Sequence, residues 1–550
     1  MISDIFNVEI PLSELPNFLK TTKVDSTQKF TEFLSTMRSF QVDAFNSSKA
    51  NKIGQICMPT GTGKTLVQKA IHVDDMLNKT EKGEVGIYVI ASHRLGLCNQ
   101  LFEQCMDLIF ECGIACDMLY IGSEKYDFTQ IMDKYSKKGI KIVTNSFDAK
   151  ATTLSDNILM AASNARMNGH HLFIVSTYHS FGRLQTLSKL NLAHPISVCT
   201  FDEAHTTTKD LFQENINSVK NLIDRKYFFT ATRRVRGEDG GQNNTEFYGQ
   251  VIYEMPIRTS IETGEIVRPV IHRVVCNDDS GMSSDTNEWM MVKTITDCFN
   301  EHKKQIKACS NSPENIGAKM LITCDGLKFI REVCNNQFFI DYCRKNNINV
   351  YSFSSSDGEH MNFEKCVNRQ MCICSMNNLE QCEDAILFHY DILTEGIDLP
   401  AITGVLIMRN LETIKLLQNI GRAARLLPGD RELLYKETNT DVKYIEEFIK
   451  TKLVKPYSWV IIPDYLKSLN REDARRIREM IEEIVQTYNI LVEQTVVSDV
   501  ALADKKTEFK KNTKDVDKTK TDKDYTLQHI IKMIEFDQIS DEEKLAILEK

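Results

Sequence analysis

The sequence predicts an α/β protein: two tandem, doubly wound parallel-sheet domains followed by a C-terminal helical extension. Three observations carry this. Short β-branched and aromatic runs alternate with longer helical patterns from about residue 38 to 465, as in parallel strands joined by crossover helices. The strand candidates fall into two sets of five, separated by a polar stretch. Beyond 465 the chain turns to a charged helical pattern and then to a segment almost without apolar residues. A chain of 550 residues, 42% hydrophobic, is long enough to bury a core in each domain.

Taken in order, residues 1–37 form an N-terminal extension. Their opening, "MISDIFNVEIPLSELP", has neither the basic start nor the apolar core of an export signal. The first domain, 38–262, is expected to hold strands at "IGQIC" (53–57), "GIYVIAS" (86–92), "LFIVST" (172–177), "SVCTFD" (197–202) and "YFFTAT" (227–232). These are near-continuous apolar runs, as in strands covered on both faces. The boundary falls near "RTSIETGEIVRPV" (258–270), a polar stretch leading into a new strand. The second domain, 263–466, is expected to hold strands at "KMLITC" (319–324), "NVYSFS" (349–354), "DAILFHY" (384–390), "GVLIMR" (404–409) and "WVIIPDY" (459–465). "SLNREDARRIREMIEEIVQTYNILVEQ" reads as one long helix, so 467–503 is taken as a helical extension. Residues 504–524 carry eight lysines and six acids with almost no apolar residue, the composition of a flexible linker. The last segment, 525–550, is helical by pattern and is expected to dock on the body or on a protein partner.

Composition narrows the function. A formal net charge of −9 argues against a wholly basic nucleic-acid coat protein but leaves room for a local basic cleft. No apolar run approaches the ~20 residues of a membrane span. No membrane association and a cytoplasmic location are expected, and the 16 cysteines are read as reduced thiols. Two readings compete for Cys98, Cys105, Cys112 and Cys116. Four thiolates suit an iron–sulfur cluster, but the first three recur every seven residues, along one face of a helix. They are therefore read as small apolar core residues. Cys366, Cys372, Cys374 and Cys382 lack the paired spacing of a zinc site.

The chemistry-bearing stretch is "MPTGTGKT" (58–65). It approaches the phosphate-wrapping loop G-x-x-x-x-G-K-[ST], with Met58 where the first glycine belongs. A strand precedes it. A helical pattern follows, with Leu66/Ala70, Val67/Ile71 and Val73/Leu77 four residues apart. Pro59, Thr60, Gly61, Thr62 and Gly63 would line the phosphates of ATP. The two glycines let backbone N–H groups converge, and the helix start adds positive potential. Lys64 would bridge the β- and γ-phosphates and Thr65 would hold Mg²⁺. The missing glycine is the one farthest from the γ-phosphate. "SVCTFDEAH" supplies the partner motif: Asp202 would bind Mg²⁺, and Glu203 would orient and deprotonate the attacking water. The blander readings, a turn with an exposed lysine and a solvated pair of loop acids, lose weight once both motifs occur in this order.

With these motifs in place, the sequence resembles the superfamily 2 helicases and translocases over roughly residues 38–430. The resemblance implies two RecA-like domains. "MRSFQVDAF" is similar to the family's adenine-reading segment, with Gln41 on the base and Arg38 supporting the site. "IASHRLGLCNQ" and "VSTYHS" resemble strand-tracking motifs, which implies that Arg94 and Thr177 face a phosphate backbone. "DEAH" (202–205) and "TAT" (230–232) resemble the second nucleotide motif and the coupling motif, which implies that His205, Thr230 and Thr232 link nucleotide state to the gripped strand. "LITCDGLKFIREV" resembles the fourth motif, placing Thr323 at nucleic acid. In "YDILTEGIDLP", Thr394 and Gly396 would meet nucleic acid, and Gly396 with Asp398 would border the nucleotide. "QNIGRAARL" resembles the sixth motif. Gln418, Arg422 and Arg425 then fall about one turn apart on a helix, and the arginines would neutralise the terminal phosphoryl held by the other domain.

Two departures from the family's pattern stand out. The loop begins with Met58, and the coupling motif is T-A-T in place of S-A-T, which keeps both hydroxyls. "TEGIDLP" and "GQVIYEMPIRTSIETGEIVRP" (249–269) are more similar to the branch-migration, repair and restriction-translocase groups than to RNA-processing helicases with the same D-E-A-H letters. The resemblance therefore implies an ATP- and Mg²⁺-dependent motor acting on DNA in preference to RNA. An RNA helicase and the motor module of a restriction or defence complex are the alternatives.

Overall fold

The structure, a computed structural model, describes residues 25–122, 154–236, 240–276, 286–324, 326–354, 358–366, 369–389, 401–409, 411, 413–465 and 491–496. The chain divides into two compact units: Met1–Cys57 with Gly63–Glu254, and Met58–Thr62 with Met255–Lys550.

The first unit carries strands β1 (Ile53–Cys57), β2 (Ile87–Ser92), β3 (Cys116–Ile121), β4 (His171–Thr177), β5 (Ile196–Phe201) and β6 (Ile223–Thr230). A short ribbon of β7 (Val235–Arg236) and β8 (Gly240–Gly241) follows, and then β9 (Val251–Glu254). The sheet runs β3-β4-β2-β5-β6-β1-β9, and every neighbouring pair is parallel. Parallel neighbours need crossover connections. The helix Lys64–Glu81 joins β1 to β2, and the helix Leu95–Glu111 joins β2 to β3. Strands β2, β4 and β5 are buried at every position, which is why they read as unbroken apolar runs. Phe201 of β5 and Phe228 of β6 stack with ring centroids 4.6 Å apart at the centre of this core.

All five strands expected here are present, and two more flank them. The edge strand β3, "CDMLYI", is only partly buried, and β9, "VIYE", has no fully buried residue. Strands that keep one side near water lose the continuous apolar signature. Cys98, Cys105 and Cys112 are buried along and just beyond the helix Leu95–Glu111, packed as small core side chains. Burial pushes the Cys105 thiol up to about 12, so it stays protonated and inert.

The second unit carries β10 (Arg268–Cys276), β11 (Lys319–Thr323), β12 (Ile348–Ser354), β13 (Gly358–Met361), β14 (Glu364–Lys365), β15 (Asp384–His389), β16 (Gly404–Ile407), β17 (Tyr457–Tyr465) and β18 (Leu491–Val496). Their order is β14-β13-β12-β15-β11-β16-β17-β10-β18. All pairings are parallel except the β12-β13-β14 meander at one edge. Alternate residues face opposite cores. Leu321, Leu387, Val405 and Val460 pack on one side, and Met320, Ile322, Ile386, Phe388, Leu406 and Trp459 on the other.

One expectation is corrected at the far edge. The helix read over 468–494 does not reach its end, because Leu491–Val496 is a strand. It pairs with β10 in parallel register, from Val270↔Leu491 to Val275↔Val496. "LVEQTV" is β-rich in composition, and the free edge of β10 supplies backbone partners that a helical periodicity count cannot register. The remainder of the predicted helix, the charged linker and the C-terminal segment lie outside the described residues.

Candidate nucleotide site

A sheet with only parallel neighbours has all its carboxyl ends on one edge, where α/β folds bind ligands. Along the first sheet, the predicted residues lie at the carboxyl ends of its strands or in the segments that leave them. The loop 58–65 follows β1, His93 and Arg94 follow β2, and Thr177 closes β4. Asp202–His205 follow β5, and Thr230–Thr232 close and follow β6. The register sets Cys57 beside Thr230 and Ser92 beside Thr177.

The loop departs from β1 with Met58 fully buried. Thr62 is also buried and spends its hydroxyl on the Pro59 carbonyl at 2.8 Å, which draws the turn together; Thr60 is half-buried. Gly61 and Gly63 take φ of +90° and +85°, the left-handed region open to glycine. The helix starts at Lys64, with Gly63 as its N-cap. A Cβ on Gly63 would lie 2.5 Å from Gln41 Nε2, so the amide of Gln41 rests on the loop. Gln41 is itself buried in the helix Ser39–Ala50, and its Oε1 accepts from the N–H of Arg38, the N-cap, at 2.9 Å. The two residues expected at the base are thus tied together, and one of them reaches the loop.

Lys64 is buried, and its positive charge acts on Asp202. Asp202 Oδ1 accepts from Gln68 Nε2 at 2.8 Å. Gln68 was not singled out in the sequence. It lies four residues after Lys64, hence on the same helix face, and that spacing was the available signal. The Asp202 peptide is fixed too: its N–H donates to the Ala91 carbonyl at 2.8 Å, and its carbonyl accepts from the buried Tyr178 hydroxyl. Burial pushes the Asp202 carboxyl up to about 6. The neighbouring Glu203 charge pushes the same way, while Lys64 and Gln68 oppose. A buried carboxylate beside a hydroxyl-bearing helix start, with a second carboxylate next to it, suits a hard divalent cation with oxygen ligands. The oxygen donors of Thr65 and Asp202 fit Mg²⁺ in kind, with Glu203 next to them.

Glu203 adopts φ +50°, an uncommon left-handed conformation for a non-glycine residue. Its Oε2 lies 3.5 Å from His205 Nδ1, which also sits 3.3 Å from Thr230 Oγ1. Thr230 donates its own hydroxyl proton to the Thr232 carbonyl at 2.8 Å. Its oxygen is therefore left to accept, which assigns the proton to His205 Nδ1. Glu203, His205 and the T-A-T segment form one chain of contacts in which Thr232 takes part through its main chain.

The strand-facing residues divide. Arg94 is half-buried at the N-cap of the helix Leu95–Glu111. Thr177 is buried and accepts from the Ser180 N–H at 3.3 Å. Thr323 is fully buried, its hydroxyl donating to the Leu406 carbonyl and accepting from the Met408 N–H, each at 3.3 Å. The sheet consumes that hydroxyl, because a threonine closing an interior strand meets the neighbouring strand's backbone before it meets a ligand. Thr394, Gly396 and Asp398 lie outside the described residues. In the second unit, Gln418 and Arg422 lie four apart on the helix Thr413–Ala423 and are buried. Arg425 does not continue that helix face. It lies beyond the helix end, in an antiparallel bridge with Ile266.

The model of the family described as "Type III restriction enzyme, res subunit" matches residues 28–234. No curated protein matches the chain. Among solved structures, the chain is similar to the ATP-dependent Type ISP restriction-modification enzyme LlaBIII bound to DNA. That likeness has 14% identity and a TM-score of 0.55, and covers 86% of this chain and 32% of that one. It is also similar to Mss116p bound to ssRNA and AMP-PNP, at 14% identity and a TM-score of 0.50, covering 90% of this chain and 82% of that one. At such identities the likeness is one of fold: tandem RecA-like α/β domains. The chain spans about a third of the length of the restriction-modification enzyme.

Proposed function

We propose that this chain is an ATP-dependent motor of the superfamily 2 helicase type, coupling nucleotide hydrolysis to movement on, or remodelling of, nucleic acid. The observation that carries the reading is the pairing of two loops at one sheet edge: buried Lys64 at a helix start, within electrostatic reach of buried Asp202, whose neighbour Glu203 is linked to the T-A-T segment. In this reading Lys64 holds the terminal phosphates, and Gln41 with Arg38 faces the base. Thr65 and Asp202 hold Mg²⁺, and Glu203 takes a proton from the attacking water. Mg²⁺, when bound, supplies positive charge to the phosphate oxygens. Gln418, Arg422 and Arg425 contribute the remaining positive charge from the second unit, so hydrolysis would depend on how the two units meet. His205 and Thr230 pass the state of Glu203 toward the strand-facing loops, with Arg94 and Thr177 on the same edge.

The substrate proposed is DNA in preference to RNA. The res-subunit match over 28–234 supports that preference, as does the resemblance of "TEGIDLP" to the DNA-translocating groups. The same match supports a second reading, in which the chain is the motor module of a restriction or defence assembly and cutting is done elsewhere. An intracellular site of action is proposed from the free thiols among the described cysteines. The deciding measurement is ATP turnover with matched single-stranded DNA, duplex DNA, branched DNA and RNA. It should be followed by unwinding of the best activator, and by a nuclease assay on supercoiled and linear DNA. Turnover unaffected by any nucleic acid would sink the motor reading; stimulation by RNA alone would reverse the substrate preference.

A further inference from the structure

The stretch bearing Arg422 and Arg425 ends in a way its sequence does not announce. Its helix stops at Ala423, and the last carbonyls of a helix have no partner within it. The Ala423 carbonyl and the carbonyl of Arg425 itself accept from one donor. Lys455 Nζ lies 2.7 Å from the Ala423 carbonyl and 3.0 Å from that of Ile402, and it also donates to the Arg425 carbonyl. An ammonium has three protons and no acceptor, so three carbonyls use it completely. Lys455 is 2% exposed, just before β17. Its own main chain is clamped in turn: the Asp430 carboxylate accepts from the N–H groups of Val454 at 2.7 Å and Lys455 at 2.9 Å. The intervening carbonyl, Ala424, accepts from the Val267 N–H at 2.8 Å, beside the Ile266–Arg425 bridge. Three consecutive carbonyls, 423 to 425, are thus all held, two of them by one side chain.

We propose that Lys455 is a positioning residue for the arginines of this stretch. By holding the carbonyls of Ala423 and Arg425, it sets the direction in which the chain leaves the helix and hence the direction from which Arg425 approaches a phosphate. The inference rests on the ATP-hydrolysing reading above and adds to it a residue that touches neither nucleotide nor nucleic acid. Burying an ammonium is costly unless every proton is used. Placed at the negative end of a helix, against three carbonyls, the charge is used in full.

The electrostatics give the inference a distinctive readout. Burial lowers Lys455 to about 7; Asp430 opposes that shift, and Arg425 and Arg431 add to it. As pH rises through about 7, the ammonium becomes an amine with two protons, and one carbonyl loses its donor. Folding linkage has the opposite sign. The folded pKa lies below the ordinary lysine value of 10.5, so between the two the unfolded chain binds more protons and stability rises with pH. A positioning role therefore makes kcat fall across a pH range in which this lysine's contribution to stability rises.

The test uses the full chain. ATP turnover at saturating nucleic acid is measured from about pH 6 to 9 for wild type, Lys455→Met and Lys455→Arg, with melting temperature and ATP affinity for each. Lys455→Met should lose at least about tenfold in kcat with ATP affinity within about threefold of wild type. Wild type should show an alkaline decline near pH 7 that Lys455→Arg, permanently charged, does not. Should Lys455→Met fail to fold, the comparison of Lys455→Arg with wild type decides. The inference is overturned if Lys455→Met turns over as wild type does, if kcat per folded molecule is unchanged while only the melting temperature falls, or if the alkaline decline is the same in Lys455→Arg. A wild-type chain that hydrolyses no ATP would remove the parent reading instead.

Discussion

At the residue scale, the candidate site is a set of charges held out of water. Lys64 and Asp202 are both buried, and the Lys64 charge favours the ionised form of Asp202 against the cost of its burial. Lys64→Ala should therefore reduce nucleic-acid-stimulated ATP turnover by at least ~10²-fold, the scale of losing one charge aimed at a phosphoryl transition state; steady-state kinetics with full retained turnover would remove the assignment. Glu203→Gln keeps the shape and loses the base, so it should still bind nucleotide while turnover drops by about 10²–10⁴, as read by nucleotide titration alongside ATPase. The Asp202 carboxyl, raised to about 6, adds a pH dependence. Below about 6 it becomes protonated and loses its hold on a cation, so kcat/KM for MgATP should fall on the acid side. The stability sign is the reverse. Between the ordinary carboxyl value of 3.8 and about 6 the folded state binds the extra proton, so the nucleotide-free fold loses stability as pH rises through that window. Lys64, Asp202 and Glu203 were legible because strand–loop–helix chemistry needs those residue types at those places. Gln68 and Tyr178 were not, since an ordinary helix glutamine and a core tyrosine acquire their roles only when a carboxylate is folded against them.

At the element scale, the loop works through backbone conformation. Gly63 sits at φ +85° with the Gln41 amide where a Cβ would go. Gly63→Ala thus meets left-handed strain of about 1–2 kcal/mol and a steric clash together. Nucleotide affinity should weaken by about tenfold or more with only a modest fall in melting temperature; binding equal to wild type would mean the loop accepts a side chain. Met58 answers the question raised by the missing glycine. It is fully buried, so this position is a packing site, and the left-handed conformations of the loop belong to Gly61 and Gly63. The cysteine spacing 98, 105, 112 likewise resolves as the inner face of one helix and its cap. Interior strands were readable as apolar runs. The edge strands β3 and β9 and the added strand β18 were not, because a strand at a sheet margin is defined as much by the partner backbone it finds as by its own side chains.

At the scale of the whole molecule, the proposed function requires two units to act together on one nucleotide and one strand. If the arginines of the second unit act on a phosphoryl held by the first, probes placed one on each unit should change separation when a non-hydrolysable ATP analogue and nucleic acid are added together. Energy transfer would report this, and no change under any combination would count against coupled motion. Binding to nucleic acid should fall log-linearly with salt, as contacts to phosphate backbones do; salt-insensitive binding would point to base or protein recognition instead. What the sequence by itself determined was the class of fold, the interior strands, and the residues whose chemistry is bound to a local motif. Each of these depends on neighbours within a few positions, through strand burial, helix period and the backbone freedom of glycine. Only the tertiary structure decided that Thr323 turns its hydroxyl into the sheet, that Arg425 leaves the helix of Arg422, that 491–496 is a strand, and that Lys455 ties down the carbonyls beside the arginines. Those outcomes depend on which distant backbone groups still lack a partner once the sheets have formed, and local spacing carries no record of that.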